Sequence, residues 1–222
     1  MRKQTIKKAG IVVGLSLLAI SAHQVVSSAS VLQRLSYPLQ AQTPSDTPAQ
    51  PATEPQTEEP IQAPYVPTPQ VVVDKMLEMA AVGPNDLVYD LGSGDGRVVI
   101  TAAQKFGTRG IGIEIDPELI ALANENAAAA GVSDRVQFRE QDLFATDFSD
   151  ATVVTLYLLQ DMNLRLRPIL LRQLKPGTRI ISHSYTMGDW KPEDTEVVQG
   201  PSKLHIIYKW TVPEVVPPEL LQ

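Results

Sequence analysis

Short apolar runs alternate along most of this chain with longer stretches whose apolar positions have helical spacing. The runs that we predict to be buried strands lie at 87–91, 110–115, 135–138, 152–158 and 178–182. The predicted helices lie near 70–81, 97–105, 117–130 and 163–173. Strands that alternate with helices in this way indicate an α/β domain built on a mostly parallel sheet.

Two residues refine the predicted helix boundaries. Gly131 follows a run of alanines at 127–130, which predicts a helix that ends in a left-handed cap. Pro168 lies inside the stretch from 163 to 173 and has no backbone N–H to donate. We therefore expect a turn at the start of that stretch and a helix that restarts at or near the proline.

The turn after the first predicted strand contains three alternating glycines. Residues 90–96 read Asp-Leu-Gly-Ser-Gly-Asp-Gly and precede the helix predicted near 97–105. Glycine permits backbone angles and close approaches that a Cβ would block, and the amides at the start of the helix can face a polar ligand. The arrangement predicts a loop that binds a cofactor of the nucleotide type.

The glycine spacing also discriminates among cofactors. A dinucleotide fingerprint that began at Gly92 would need its third glycine at position 97, which is Arg97, so NAD is disfavoured. No Gly-Lys-Ser or Gly-Lys-Thr follows the glycines, so the loop is not of the Walker type.

The N-terminal part of the chain differs in composition from the rest. Residues 1–30 run from a basic start into an apolar stretch at 9–20, which resembles a signal peptide or an N-terminal membrane anchor. Its apolar core of about twelve residues is shorter than the roughly twenty that span a bilayer. Residues 31–64 are rich in Pro, Gln, Thr and Glu, which predicts a disordered linker. The folded domain is predicted at 65–222.

Charge and composition narrow the range of partners. The chain has a net charge of −6, and residues 1–39 carry five basic and no acidic residues, so the remainder carries −11. Phosphate backbones require clustered Lys and Arg, so we predict no nucleic-acid partner. The chain has no cysteine, and its three histidines are far apart in sequence, so we predict no metal site. His183 and His205 are predicted to be strand residues.

An acidic residue two positions before three alternating glycines resembles motif I of the class I methyltransferases that use S-adenosylmethionine (SAM). Asp90, Gly92, Gly94 and Gly96 fill its four positions. The resemblance implies a single seven-strand Rossmann-like domain, with a mostly parallel sheet and an antiparallel last strand. Segments 195–198 and 204–210 then resemble the closing hairpin of that fold. The implied cofactor is SAM.

The same resemblance assigns the residues expected to bind the cofactor. Glu114 and Ile115 end the second strand, where an acid suits ribose hydroxyls, and Asp142 and Leu143 resemble the pair that contacts adenine. The full predicted set is Asp90, Gly92, Ser93, Gly94, Asp95, Gly96, Glu114, Ile115, Asp142 and Leu143.

A narrower resemblance depends on the flanks of this motif. The run Tyr-Val-Pro-Thr-Pro at 65–69, the motif at 90–100 and Asp-Leu-Phe at 142–144 resemble the ATP synthase c-subunit lysine methyltransferase family and its bacterial relatives. This resemblance implies a protein-lysine N-methyltransferase that acts on a membrane or envelope protein. Tyr65 and Tyr157 are then the candidate catalytic residues, because their rings or hydroxyls can line the channel of the acceptor amine.

Alternatives to this function and to its location remain. A small-molecule N- or O-methyltransferase would use the same cofactor site, and a non-catalytic module would bind SAM without turnover. A basic start before an apolar segment predicts export or membrane association of the domain. Because SAM is made in the cytosol, the alternative is a domain held at the cytoplasmic face of the membrane.

Overall fold

A computed structural model describes residues 64–222, which form one seven-stranded sheet with helices on both faces. The strands are β1 (Leu87–Leu91), β2 (Arg109–Glu114), β3 (Val136–Glu140), β4 (Val153–Leu156), β5 (Arg179–His183), β6 (Asp194–Gln199) and β7 (Leu204–Thr211). The helices are α1 (Gln70–Met79), α2 (Arg97–Phe106), α3 (Pro117–Ala129) and α4 (Gln160–Gln173). Short 3₁₀ turns cover Leu143–Ala145 and Pro218–Leu221.

The strand order is β3-β2-β1-β4-β5-β7-β6, and it reverses between β1 and β4. Strands β1 to β5 are parallel, whereas β7 runs antiparallel to both of its neighbours, β5 and β6. This arrangement confirms the predicted α/β fold, its mostly parallel sheet and its antiparallel last strand. In such a sheet, ligands bind outside the carboxyl ends of the strands at the point of reversal.

Alternating side chains of the central strands form two apolar cores, one on each face of the sheet. Val88, Val153 and Ile181 pack with α1 and α2 on one face. Leu91 and Leu156 pack with α4 and the C-terminal 3₁₀ turn on the other face. Burial on both faces explains why the central strands are almost wholly apolar in sequence.

Helix α3 has the ends that its sequence predicted. It begins at Pro117, and the side chain of Asp116 accepts a hydrogen bond from the amide of Glu118. At the other end Gly131 has φ +70°, and the amides of Gly131 and Val132 donate to the carbonyls of Ala128 and Ala127. This pairing is a Schellman cap, so the predicted left-handed end is confirmed.

Helix α4 differs from the prediction because it runs without a break from Gln160 to Gln173 through Pro168. The proline forfeits one helical hydrogen bond, at a cost of about 3 kcal/mol. Packing offsets this loss, since Leu166 and Leu170 are fully buried on one side of the helix. Arg167, also buried, donates to the backbone carbonyls of Met187 and Leu220. The prediction of a turn followed by a helix that restarts near Pro168 is therefore wrong.

Strand β4 is shorter than the apolar run at 152–158 predicted. It ends at Leu156, opposite Leu91, because β1 stops there and the glycine loop turns away. The apolar residues that follow serve another purpose. The Leu158 side chain lies 2.8 Å from the place that a Cβ on Gly92 would occupy, so it packs directly against the loop.

The predictions for the N-terminal segment at 1–30 and, apart from Pro64, for the linker at 31–64 fall outside the described residues. Within residues 64–222, none of the helices combines the length and the apolar character needed to cross a bilayer.

Two glycines with similar backbone angles allow the stability cost of backbone strain to be measured separately from the cost of steric crowding. Gly96 has φ +80° and its Cβ would lie 2.5 Å from the ring of Phe138, whereas Gly131 has φ +70° and open space around it. We expect Gly131→Ala to cost about 1 kcal/mol of unfolding free energy from the left-handed backbone alone. Gly96→Ala should cost about 1–3 kcal/mol more from overpacking. Urea unfolding measures both, and equal losses would contradict the close packing at Gly96.

Candidate active site

A cavity of about 570 Å³ opens at the carboxyl ends of the parallel strands, where the strand order reverses. Its walls come from the loops after β1, β2, β3 and β4, from the first turns of α4, and from residues 64–68 ahead of α1. Both its size and its place in the sheet are typical of a site for a small-molecule cofactor.

Eleven of the twelve residues predicted for the site line this cavity. They are Tyr65, Asp90, Gly92, Ser93, Gly94, Asp95, Glu114, Ile115, Asp142, Leu143 and Tyr157. The exception is Gly96, which does not reach the cavity wall. It forms the N-cap of α2 and packs against Phe138, so its role is to allow the turn into the helix.

Glu114, the last residue of β2, joins its strand to the glycine loop. One carboxylate oxygen, Oε2, accepts a hydrogen bond of 2.9 Å from the amide of Gly94. The other, Oε1, accepts from the amides of Ile115 at 2.8 Å and Asp116 at 3.2 Å. The carboxylate thus fixes two backbone segments that line the cavity, and it remains part of the cavity wall itself.

Asp90, at the end of β1, is a buried carboxyl group inside the cavity wall. Its Oδ1 accepts a hydrogen bond of 2.6 Å from the Thr155 hydroxyl, and the residue is only 5% exposed. Burial, together with the nearby Glu114 and Asp95 carboxylates, raises the pKa of Asp90 to about 7, against the lowering effect of the hydrogen bond from Thr155. A cation bound beside this group would favour its ionised form.

Asp95 forms an ion pair that the sequence did not predict. Arg97 donates to Asp95 through Nε at 2.9 Å and through Nη2 at 2.6 Å, and it donates through Nη1 to the carbonyl of Thr68 at 2.8 Å. Burial opposes ionisation of Asp95, but the hydrogen bonds from Arg97 keep the pKa of this carboxyl below its ordinary value. Arg97 therefore ties the glycine loop to the segment ahead of α1.

That segment, residues 64–69, crosses the glycine loop, and we refer to it as the N-terminal strap. The Tyr65 ring lies so close to Gly94 that a Cβ there would be 2.6 Å from Cε2 of the ring. Gly94 also has φ +53°, so both space and backbone angle require glycine at this position. The Tyr-Val-Pro run therefore belongs to the site, although it lies more than twenty residues before the glycine loop.

Tyr157 follows β4 and lines the cavity near the start of α4. Its ring stacks on the imidazole of His183, with centroids 3.8 Å apart and an angle of 31°. Burial, together with the nearby Tyr185, raises the pKa of the Tyr157 hydroxyl, which therefore stays neutral at physiological pH.

Several further residues of the wall were not predicted, among them Thr68, Phe144, Met162 and Arg165. The Arg165 guanidinium lies 4.1 Å from the centroid of the Phe144 ring, a cation–π contact. Phe144 belongs to the Asp-Leu-Phe run at 142–144, but its contact with Arg165 leaves no signal in the sequence, because only the fold brings α4 and the loop after β3 together.

The histidines predicted as strand residues lie in β5 and β7. Although 22 positions separate them in sequence, His183 Nε2 lies 2.7 Å from His205 Nδ1. In the part of the chain that the structure describes, no group of three or more potential ligands is arranged to hold a metal ion.

Sequence comparisons identify related methyltransferases. The family model of the ANTKMT methyltransferase domain matches residues 90–194. A protein-lysine N-methyltransferase of Saccharolobus islandicus is 43% identical over 152 residues, which cover 68% of this chain and 94% of that protein. The human lysine N-methyltransferase of the ATP synthase c-subunit is 32% identical over 130 residues, covering 59% of this chain and 55% of that protein. The chain thus spans about half the length of this human relative.

Solved structures resemble the fold. A crystal structure described as an RNA methyltransferase from Salinibacter ruber, in complex with S-adenosyl-L-homocysteine, has a TM-score of 0.65 and 55% sequence identity. It covers 70% of this chain and 99% of that chain. TrmN from Thermus thermophilus has a TM-score of 0.55 at 18% identity, over 62% of this chain and 47% of that chain, and supports the fold alone.

The residues of the cavity fit SAM, the cofactor of the matched enzymes. Ser93 lines the cavity, and its hydroxyl is buried beside Gly112 of β2, with no hydrogen-bond partner among residues 64–222. Asp90 and Glu114 supply carboxylates at the ends of β1 and β2, and Leu143 and Ile115 supply apolar contacts for a planar base. A cationic cofactor with a polar and a flat apolar end matches this distribution.

Glu114 is expected to be needed for SAM binding. Glu114→Ala removes a carboxylate from the wall and releases the amide of Gly94, so the dissociation constant for SAM should rise by at least about tenfold. The matched control is Glu140→Ala, because Glu140 pairs with Glu114 across β2 and β3 but does not line the cavity. Isothermal titration calorimetry measures both variants, and an unchanged constant for Glu114→Ala would refute the assignment.

The raised pKa of Asp90 predicts that SAM affinity depends on pH. Below pH 7 the free protein holds Asp90 mainly protonated, whereas a bound cation favours the carboxylate, so binding must release a proton. Affinity should therefore fall as the pH decreases from about 7 to about 5.5, by at most about tenfold per unit. Asp90→Asn should bind SAM weakly and lose this dependence. Calorimetry across the range tests both, and a flat wild-type profile would contradict the prediction.

Proposed function

The chain belongs to the family of SAM-dependent methyltransferases that includes the archaeal protein-lysine N-methyltransferase, and from this we propose that it methylates lysine side chains of a protein. The observation that carries the proposal is the 43% identity to the Saccharolobus enzyme over 94% of the length of that enzyme. Relatives described as lysine N-methyltransferases of the ATP synthase c-subunit and of the adenine nucleotide translocase support the same acceptor group.

An RNA acceptor is the competing proposal, since the Salinibacter protein is 55% identical and is described as an RNA methyltransferase. The charge of the domain argues against it. Residues 64–222 contain 14 Lys and Arg against 21 Asp and Glu. Two arginines at the cavity are already engaged, Arg97 by Asp95 and Arg165 by the ring of Phe144. A protein that tracks phosphates needs clustered cations instead, so we favour the protein acceptor.

The cavity has one end suited to the cofactor and one suited to an amine. When bound, SAM supplies an electrophilic methyl group. We infer that Asp90 and Glu114 orient it at the carboxyl ends of β1 and β2, with Asp142 at the adenine end. The Tyr65 ring of the strap lies directly on Gly94 and covers the glycine loop at this point. Alignment and exclusion of water account for most of what an enzyme contributes to such a transfer.

The acceptor end is the wall formed by Tyr65, Tyr157 and neighbouring apolar side chains such as Leu158 and Met162. A lysine must lose its proton before its nitrogen can attack. Transfer of an ammonium group into apolar surroundings lowers its pKa, which favours the neutral amine at this place. The faces of tyrosine rings also attract positively charged groups, so the two rings can hold the cationic donor in line with the neutral amine.

We further propose that the acceptor protein lies at a membrane. Two relatives are named for the c-subunit of ATP synthase and for the adenine nucleotide translocase. The apolar stretch at 9–20 and the linker that follows it would keep the domain near a bilayer.

The decisive experiment is to incubate the full chain with methyl-labelled SAM and with separate membrane, soluble-protein, RNA and small-molecule fractions of the source cell. Label in a membrane-protein band that yields methyllysine on hydrolysis is the expected result. Label confined to RNA would replace the proposal with the RNA acceptor, and label confined to small molecules would also refute it. SAM binding without transfer to any fraction would indicate a non-catalytic binding module.

Tyr157 is expected to act on the acceptor more than on the cofactor. Tyr157→Ala should lower kcat/KM for methyl transfer by about tenfold or more, while the dissociation constant for SAM changes by less than about threefold. Tyr157→Phe distinguishes the contribution of the ring from that of the hydroxyl, because it removes the hydroxyl and retains the stacked ring. Tyr208→Phe, on β7 and outside the cavity wall, is the control. Unchanged transfer by Tyr157→Ala would remove Tyr157 from the acceptor site.

A further inference from the structure

Three buried polar side chains from distant parts of the chain, one in the cavity wall and two behind it, form a continuous hydrogen-bonded series. The Thr68 hydroxyl lies 3.2 Å from Nδ1 of His183, and Nε2 of His183 lies 2.7 Å from Nδ1 of His205. Their exposed fractions are 6%, 0% and 4%. The series joins the N-terminal strap to β5 and then to β7, across the sheet edge that carries the cavity.

His183 is the place where both candidate acceptor residues are held. Tyr157 stacks directly on its imidazole, at a centroid distance of 3.8 Å. Tyr65 belongs to the strap, and the strap is bonded to His183 through Thr68. His183 itself does not line the cavity. One imidazole behind the wall therefore contacts one tyrosine and anchors the segment that carries the other.

We propose that His183 is a positioning residue that holds Tyr65 and Tyr157 against the cavity, and that His205 fixes the orientation of the His183 ring. The importance of the two tyrosines for the acceptor rests on the proposed function. The positioning itself rests on the contacts of Thr68, His183 and His205.

A neutral imidazole satisfies both contacts of the series, because it has one donor and one acceptor nitrogen. If Nε2 donates to His205, Nδ1 accepts from the Thr68 hydroxyl, and the other tautomer reverses both bonds. Burial, together with the nearby His205 and Lys203, lowers the pKa of His183 to about 4, so the ring is neutral at physiological pH. A neutral ring behind Tyr157 also adds no positive charge beside a site for a cationic cofactor.

The strap depends on Thr68 for its attachment to two elements. The side chain of Thr68 bonds to His183 on β5, and its backbone carbonyl accepts from Arg97 at the start of α2. Loss of the His183 contact therefore frees one side of the strap and leaves the other attached. The expected consequence is a displaced Tyr65 ring on an otherwise folded domain.

The test uses near-isosteric pairs of variants of the full chain. Thr68→Val removes the contact of the strap, and Thr178→Val is its control, because Thr178 is a buried threonine at the opposite end of β5. His205→Leu removes the polar partner of His183, whereas His205→Asn keeps a polar atom near the position of Nδ1. Neither Thr178 nor His205 lines the cavity.

Two measurements report on positioning and not on stability alone. Fluorine NMR of protein containing 3-fluorotyrosine gives a separate resonance for each tyrosine, assigned by Tyr→Phe variants, with Tyr89 as an internal reference held by Asp150. Calorimetry gives the dissociation constant for SAM. Thermal unfolding shows that each variant is folded at the temperature of the measurements.

We expect Thr68→Val and His205→Leu to move the fluorine resonances of Tyr65 and Tyr157. Both variants should also raise the dissociation constant for SAM by about fivefold, a change of the size that the loss of one hydrogen bond usually causes. Thr178→Val and His205→Asn should match the wild type in both. If His205→Leu behaves like His205→Asn, differing from the wild type only in melting temperature, the proposal is overturned. These results do not require methyl transfer, so failure of the lysine assay would refute the proposed function separately.

Discussion

The cofactor side of the cavity depends on the hydrogen bonds between the end of β2 and the glycine loop, in which the Ile113 carbonyl accepts from the amides of Gly92 and Ser93 and the Glu114 carboxylate accepts from that of Gly94. The glycines of this loop have no side chains of their own, so neighbouring groups must hold the backbone at those positions. Here β2 holds it, because Glu114 at its end binds the amide of Gly94 and the amides of the two residues that follow. The loop after β1 and the turn into α3 are thereby held as one unit. The strap, the Asp95–Arg97 pair and Tyr65 all rest on that unit.

The distribution of charge around this unit suits a cationic ligand. The carboxylates of Asp95 and Glu114 lie close enough to Asp90 to disfavour its ionisation. Asp95 is itself stabilised as a carboxylate by Arg97. Arg97 neutralises Asp95, which leaves Asp90 as a buried group that gains most from a bound positive charge. The opposite wall is aromatic and apolar, with Tyr157 and Met162. One cavity thus attracts a positively charged donor at one end and disfavours a protonated amine at the other.

The sequence predicted what local periodicity and spacing determine. Every predicted strand and helix exists, and the acids at strand ends met at one edge because parallel strands place their carboxyl ends together. The predictions that were wrong share a different cause, which is tertiary packing. Helix α4 passes through Pro168 because buried neighbours stabilise it, and the apolar run after β4 packs on the glycine loop instead of extending the strand. Contacts such as Thr68 with His183, 115 positions apart, leave no periodic signal in a single sequence.

The proposed acceptor wall joins the region that the family model matches to the segments on either side of it. The family model spans residues 90–194, from Asp90 at the glycine loop to the first residue of β6. That region contains Glu114, Asp142 and Tyr157, whereas the strap lies before it and β7 after it. Because His183 lies inside the matched region and bonds to both flanks, it is the point at which changes in either flank would reach the acceptor wall.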